Sequence, residues 1–194
     1  DATTAEFVKL IENTYRDVNI ALANEIALVS KKLGIDSREA IRIANKHPRV
    51  NIHQPGPGVG GHCIPVDPWF VIEQAPEHTK LMQAARVVND GMPGHVVQLL
   101  EEALRGIDAP KIAFLGLAYK GNVDDVRDSP SFDILKLIHA RWPKADVRVN
   151  DPYVDASRHK VVSLDAAMDG AGAIIVITDP KQYKSIDPRA AKHT

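Results

Sequence analysis

The sequence predicts an α/β protein, in which an all-helical first half with one long helix is followed by a small Rossmann-like domain with a doubly wound parallel sheet. Up to about residue 105, apolar residues recur at helical spacing. From Gly106 onward, short apolar runs alternate with helical stretches, and strands that alternate with helices form a parallel sheet. We therefore predict a helical domain over residues 1–105 and an α/β domain over residues 106–194.

The composition is that of a folded protein without a surface for polyanions. Hydrophobic residues make up 44% and charged residues 25% of the 194 residues, and 24 Lys and Arg face 25 Asp and Glu. A net charge of −1 gives no field that attracts nucleic acid or anionic lipid. No apolar run approaches the roughly 20 residues of a membrane span, and one cysteine cannot form an internal disulfide. These features predict a cytoplasmic protein.

Four helices are predicted in the first half. The long one runs from Thr4 to Leu33, where Gly34 stops it, and Ser37 caps a second through Asn45. A third begins at the Asp67-Pro68 pair, read as a cap followed by proline. A fourth covers 79–105 and is expected to break or kink near "NDGMPG". The apolar positions that predict the long helix are Phe7, Leu10, Ile11, Val18, Leu22, Ile26 and Val29.

The second half alternates strand and helix. Strands are predicted over 111–117, 146–151 and 173–178, and helices over 131–142 and 163–169.

Residues 47–66 lack any periodicity and form a long loop that contains G-x-G-x-x-G at Gly56, Gly58 and Gly61. This motif binds dinucleotides only where a strand leads into it and a helix follows it. Here prolines interrupt the approach and "CIPVDP" follows. We therefore do not expect the loop to bind a dinucleotide.

Three interpretations of Cys63, in that loop, stay open from the residues alone. Glycines leave room for a ligand and could display the thiol to it. A lone cysteine is also commonly a small buried hydrophobe. A metal site is the weakest interpretation, because the spacing fits no zinc pattern; its members would be His53, His62, Cys63 and Asp67.

Two further groups of polar residues are candidates for binding a substrate. Lys9, Asn13 and Arg16 fall within an arc of about 60° on the long helix, where they form either a solvated face or a set of donors for oxygen or phosphate. Lys120 and Arg127 follow the first strand, at the edge where open α/β sheets bind ligands. They could instead pair with the acidic residues of their own loop, Asp124, Asp125 and Asp128.

Three segments resemble the UDP-glucose/GDP-mannose dehydrogenase family. They are "AEFVKLIENTYRDVNIALANE", "ANKHPRVNIHQPGPGVGGHCIPVDPWF" and "GLAYKGNVDDVRDSPS", and they follow one another in the family's order between residues 5 and 131. The second is most like the branch that oxidises UDP-N-acetyl-D-mannosamine. The resemblance implies a central helical domain that forms a homodimer through its long helix and a C-terminal UDP-binding domain. It also implies that an N-terminal NAD-binding domain and a last C-terminal strand are missing, in keeping with a start at Asp1 inside a helical pattern.

By resemblance, the reaction is a two-step oxidation of the sugar C6 alcohol to a carboxylate with two NAD+, for surface polysaccharide synthesis. Cys63 would be the nucleophile, Lys9 and Asn13 would assist it, and Asp67 would orient the hydrolytic water. The resemblance also implies substrate contacts at Lys9, Asn13, Arg16, His47, Arg49, Gly60, Tyr119 and Lys120, and an NAD contact at Arg127. Two alternatives stay open: another UDP-sugar as substrate, and a non-catalytic UDP-sugar-binding dimerisation module that is inactive alone.

Overall fold

A computed structural model gives the fold of residues 1–187. The helices are α1 (Ala2–Leu33), α2 (Ser37–Ala44), α3 (Asp67–Gln74), α4 (Lys80–Ala103), α5 (Pro130–Arg141) and α6 (Leu164–Met168), with short 3-10 turns at Pro76–His78 and Lys181–Ser185. The strands are β1 (Lys111–Leu115), β2 (Asp146–Asn150) and β3 (Ala173–Val176). These elements confirm the predicted α/β class. The expected missing last strand lies outside the described residues.

The chain packs as two compact units, one from Asp1 to Met92 and one from Pro93 onward. The predicted boundary at residues 105 and 106 stays a prediction; in the structure, Val97, Leu100 and Leu104 of α4 lie in the core of the second unit.

Helix α1 begins where the Asp1 carboxylate accepts the Thr4 N–H and ends at Gly34, whose φ of 71° suits glycine. Its outer stripe is apolar and lies within an arc of about 80° at 100° per residue. The side chains of this stripe are between 47% and 65% exposed. They are Phe7, Ile11, Tyr15, Leu22, Val29 and Leu33.

The buried side of α1 is polar. Asp17 is fully buried, and its Oδ1 accepts hydrogen bonds from Arg86 Nη1 (2.5 Å) and Asn89 Nδ2 (2.8 Å) of α4. Burial raises the pKa of Asp17, while Arg86 and Asn89 oppose that rise. Arg86 also pairs with Asp90. The first unit is therefore held together by a buried ion pair as well as by apolar contacts such as Ile41 and Ile72.

Two predicted features of the helices are wrong. Asp36, not Ser37, caps α2, because its carboxylate accepts the N–H groups of Arg38 and Glu39. Helix α4 is also continuous through Pro93. Buried contacts of residues before and after the proline hold it: Asn89 bonds to α1, and Leu100 packs in the second core. Packing therefore outweighs the low helix propensity of this proline.

The described part of the second unit contains a three-stranded parallel sheet in the order β2-β1-β3. Ile112 and Phe114 of β1 face α5 and the end of α4, while Ala113 and Leu115 face α6 and Tyr183. Helices therefore cover both faces, as right-handed crossovers in opposite directions require, and the sheet is doubly wound. Within residues 1–187, none of the helices is long and apolar enough to cross a membrane.

Candidate active site

The long loop before α3 is fixed to the first unit by three asparagine side chains. Asn45 bonds to Ile52 twice, with its Nδ2 donating to the carbonyl (2.8 Å) and its Oδ1 accepting the N–H (2.7 Å). Asn19 Oδ1 accepts the N–H of His53 (3.1 Å). Asn24 Oδ1, also on α1, accepts the N–H of Gly56 (2.8 Å). The loop therefore has a defined path despite its lack of regular structure.

Within residues 1–187, the glycines of this loop lack the preceding strand and the directly following helix of a dinucleotide-binding motif. Gly58 and Gly61 have φ of 131° and 88°, which other residues rarely adopt. In the described chain the first strand begins only at Lys111, and the helix after the motif begins at Asp67 rather than at its third glycine. A pyrophosphate would find no helix N-terminus at that glycine.

Cys63 lies half-buried in the turn that leads into α3. Its carbonyl accepts the N–H groups of Val66 (3.1 Å) and Asp67 (2.8 Å). These bonds form a turn that leads from Cys63 into Asp67, the first residue of α3. The residue as a whole is therefore partly exposed rather than fully buried.

Asp67 is joined to α1. Asn13 Nδ2 donates to Asp67 Oδ2 over 2.5 Å, and Asn13 is only 3% exposed. The prediction that Asp67 caps α3 is wrong: Val66 occupies the cap position without a side-chain bond, and Asp67 is the first helical residue. The carboxylate is thus directed at Asn13, which brings two predicted site residues together from positions 54 apart in sequence.

The other residues predicted near the thiol lie at the surface. Lys9 Nζ pairs with Glu12 (3.3 Å) across exposed side chains, and Arg16 is exposed on the same helix. His47 and Arg49 lie in an exposed turn, in which His47 Nδ1 accepts the Arg49 N–H (3.3 Å). Gly60, in the glycine loop, is half-buried. Among the predicted site residues within 1–187, the structure thus brings Asn13 into contact with Asp67, and His47 into contact with Arg49.

No group of three or more His, Cys, Asp or Glu within residues 1–187 is arranged to hold a metal ion.

In the second unit, the loop after β1 is tied to β2. Asp151 is 4% exposed, and its Oδ2 accepts the N–H groups of Leu117 (2.8 Å) and Ala118 (3.0 Å). The next two residues are Tyr119, which is half-buried, and Lys120, which is exposed. Both follow the carboxyl end of the central strand, where open sheets bind ligands.

Arg127 forms an ion pair within the same loop. Its Nε and Nη2 donate to the carboxylate of Asp125 over 2.9 Å and 2.6 Å. The interpretation that it pairs with a neighbouring acid is therefore correct for Arg127.

Sequence reasoning missed the polar residues that fix these loops. Asn24, Asn89 and Asp17 are buried, and Asn19 and Asn45 are partly buried. A signal was present, because asparagine is unfavourable inside helices and α1 contains three, Asn13, Asn19 and Asn24.

Comparison with known proteins gives two family matches. Residues 3–91 match the central domain of the UDP-glucose/GDP-mannose dehydrogenase family, and residues 113–194 match its UDP-binding domain.

Individual proteins agree with these matches. The chain is 48% identical to the UDP-N-acetyl-D-mannosamine dehydrogenase of Methanococcus maripaludis, over 96% of this chain and 43% of that protein. It is 42% identical to an NDP-N-acetyl-D-galactosaminuronic acid dehydrogenase of Ralstonia nicotianae, over 96% of this chain and 45% of that protein. The solved UDP-D-ManNAc dehydrogenase of Pyrococcus horikoshii superposes with a TM-score of 0.90 at 46% identity, over 99% of this chain and 47% of that one.

The chain thus spans less than half the length of these relatives. Two adjoining family domains account for nearly all of its residues, and the fold agrees with a solved relative. The chain belongs to the UDP-glucose/GDP-mannose dehydrogenase family, of which it comprises the central and UDP-binding domains.

Proposed function

We propose that this chain is the thiol-bearing and UDP-binding part of an enzyme that oxidises the C6 alcohol of UDP-N-acetyl-D-mannosamine to the uronate. The observation that carries the proposal is the arrangement of Cys63 and Asp67. A half-buried thiol lies one turn before a carboxylate that Asn13 holds in place, within the central domain of a dehydrogenase family.

The thiol makes the second oxidation possible. The alcohol first loses a hydride and a proton to become an aldehyde. Sγ of Cys63 then bonds to the aldehyde carbon while the carbonyl oxygen takes up a proton, giving a thiohemiacetal. Loss of a second hydride and the hydroxyl proton leaves a thioester, and an added water breaks the C–S bond to release the carboxylate and the thiol.

Asp67 and Asn13 act in the hydrolysis of the thioester, and Lys9 acts at the oxyanion of the substrate. One carboxylate oxygen of Asp67 accepts from Asn13, so the other is free to orient the water and accept its proton. Lys9 stabilises the developing oxyanion or exchanges protons with it. For that role its ammonium leaves Glu12, which is a small cost because exposed pairs of this kind contribute little.

NAD+, when bound, would supply the oxidising power as the acceptor of the hydride from each oxidation. The glycine loop lacks the strand and helix that NAD+ binding needs. We assign its contact to Arg127, a cation at the ligand-binding edge of the sheet. We propose that a part of the enzyme outside this chain holds NAD+ and that Arg127 assists.

We propose substrate contacts in each of the two units. Arg16, His47, Arg49 and Gly60 serve the sugar side in the first unit, and Tyr119 and Lys120 the nucleotide in the second. The relatives' names favour UDP-N-acetylmannosamine, with UDP-glucose or another UDP-hexosamine as the alternatives. The product would feed surface polysaccharide synthesis. A thiol nucleophile must stay reduced, which favours the cytoplasm.

The outer stripe of α1 supports a homodimer. Its six apolar side chains are about half exposed in the single chain, and a continuous apolar stripe on a long helix is typical of a contact surface. We propose that a second copy covers it.

The reaction is tested with Cys63→Ser in the full-length enzyme, following NADH. The variant should form no uronate, and full turnover would refute the role of the thiol. UDP-N-acetylmannosamine should be oxidised faster than UDP-glucose under the same conditions; the opposite order would refute the substrate.

A second function, a UDP-sugar-binding dimerisation module, is favoured by the absence of a dinucleotide fold around the glycines in the described chain. We expect the 194-residue chain alone to bind UDP in calorimetry and to form no NADH, and NADH formation by it would contradict this.

A further inference from the structure

The glycine loop is connected to helix α4 through two buried amides. Asn24 is fully buried; its Oδ1 accepts the N–H of Gly56 (2.8 Å), and its Nδ2 donates to Asn89 Oδ1 (2.9 Å). Asn89 is 1% exposed, and its Nδ2 donates to the Oδ1 (2.8 Å) and carbonyl (3.0 Å) of Asp17. Each amide thus uses both its donor and its acceptor.

Asp17 determines which atom of each of these two amides donates a hydrogen bond and which accepts one. An ionised carboxylate can only accept hydrogen bonds, so Asn89 must turn its NH2 toward Asp17 and its oxygen toward Asn24. Asn24 must then give its NH2 to Asn89, which leaves its oxygen to face Gly56. A fixed negative charge on α1, itself paired with Arg86 (2.5 Å), therefore determines which atom meets the loop.

We call residues 56–67 the Cys63 segment. Within residues 1–187, the bond to Gly56 is one of two hydrogen bonds that attach this segment to α1; Asn19 holds the loop three residues earlier, at His53. The other is the bond from Asn13 to Asp67. Asn13 and Asn24 are 11 residues apart, or about 16 Å along the helix. The segment from Gly56 to Asp67 could extend about twice as far, so it needs both attachments to keep the thiol at one place.

The segment has little stiffness of its own. It contains four glycines, two of them at positive φ, and glycine loses the most conformational freedom on folding. An attachment at its start should therefore matter more here than in a loop of ordinary residues.

We propose that Asn24 and Asn89 are positioning residues that hold the Cys63 segment against α1. This proposal rests on the proposed function for its catalytic meaning, since only there is the thiol the nucleophile. Neither side chain contacts the reacting atoms, and Asn89 acts through Asn24.

The test uses Asn24→Ala and Asn89→Ala in the 194-residue chain, with Asn150→Ala as a matched control. Asn150 is also a buried amide (5% exposed), but it bonds to Val162 in the second unit. Loss of the attachment should raise hydrogen exchange at the Gly56 amide by about tenfold and speed alkylation of Cys63 by iodoacetamide several-fold. The control should change neither.

A merely structural role predicts a different pattern. If exchange at the amides of α1 rises as much as at Gly56, or if Gly56 is unchanged in Asn24→Ala, the proposal is overturned. Should Asn24→Ala fail to fold, Asn24→Ser, which keeps an acceptor, and Asn89→Ala decide the same question.

In the full-length enzyme, both variants should lower kcat with little change in KM. Exchange and alkylation need no turnover, so they separate the two proposals. Turnover by Cys63→Ser would remove the catalytic role and leave the attachment intact.

Discussion

Asn13 on α1 donates a 2.5 Å hydrogen bond to Asp67, four residues after the only cysteine of the chain. The bond connects residues far apart in sequence and directs a carboxylate that would otherwise cap its own helix. It gives the Asp67 carboxylate a hydrogen-bonding partner on α1.

Replacing Asp67 by Asn tests its role in hydrolysis. In the full-length enzyme, turnover should fall by about 10²-fold or more, because the water loses its base. A thioester on Cys63 should accumulate and be visible in the intact mass. Glu73→Gln, an exposed acid on the same helix α3, should behave as wild type. Wild-type turnover by the Asp67 variant would rule out its role.

The buried ion pair gives a contrast in stability. Asp17→Asn should cost about 3–5 kcal/mol, because Arg86 stays buried without its inner partner. Asp90→Asn, whose side chain is 58% exposed, should cost less than about 1 kcal/mol. Urea unfolding measures both, and equal costs would contradict the distinction.

The outer stripe is tested by charge. Phe7→Glu with Leu22→Glu should convert a dimer to a monomer in sedimentation, because two buried carboxylates would disfavour the apolar contact. Leu137→Glu on α5, a 40% exposed position of the second unit, is the matched control and should leave the dimer intact. A wild-type chain that is monomeric at high concentration would contradict the proposed homodimer.

Two glycines should respond oppositely to alanine. At Gly94, within α4, an added Cβ meets no atom within 4 Å, so Gly94→Ala should stabilise by about 0.5–1 kcal/mol. At Gly116, with φ of 95°, the Cβ would lie 2.2 Å from Thr178 Oγ1 and 2.8 Å from Thr178 N. Gly116→Ala should therefore destabilise by at least about 2 kcal/mol. Thermal unfolding of both variants tests the pair, and a loss at Gly94 would count against this account.

The sequence predicted the elements well where local signals agree. Apolar runs at 111–115, 146–150 and 173–176 are strands in the structure, within two residues of the predicted ends. Gly34 ends α1 as predicted. The break predicted near Pro93 is wrong because helix propensity describes an isolated helix, whereas α4 is stabilised by contacts on both sides of the proline.

The site was harder to predict because its supports come from distant residues. Cys63 and its glycines are visible as a local pattern, but the Asn13 and Asp67 contact joins residues 54 apart, and Asn24 reaches Gly56 across 32. Periodicity also identified α1 without showing which of its faces is buried. The apolar face is the natural guess, yet Phe7 and Leu22 are about half exposed and Asp17 is buried.

The burial of the polar side of α1 and the exposure of its apolar side determine the rotation of this helix about its own axis. Apolar burial alone would favour a helix rotated by about 120–130°, the angle between its outer stripe and the direction of Asp17. Such a rotation would leave Arg86 and Asn89 of α4 facing apolar side chains without acceptors, at a cost of several kcal/mol. The buried polar side thus selects one rotational setting of α1, and with it the one in which Asn13 and Asn24 both point at the loop that carries the thiol.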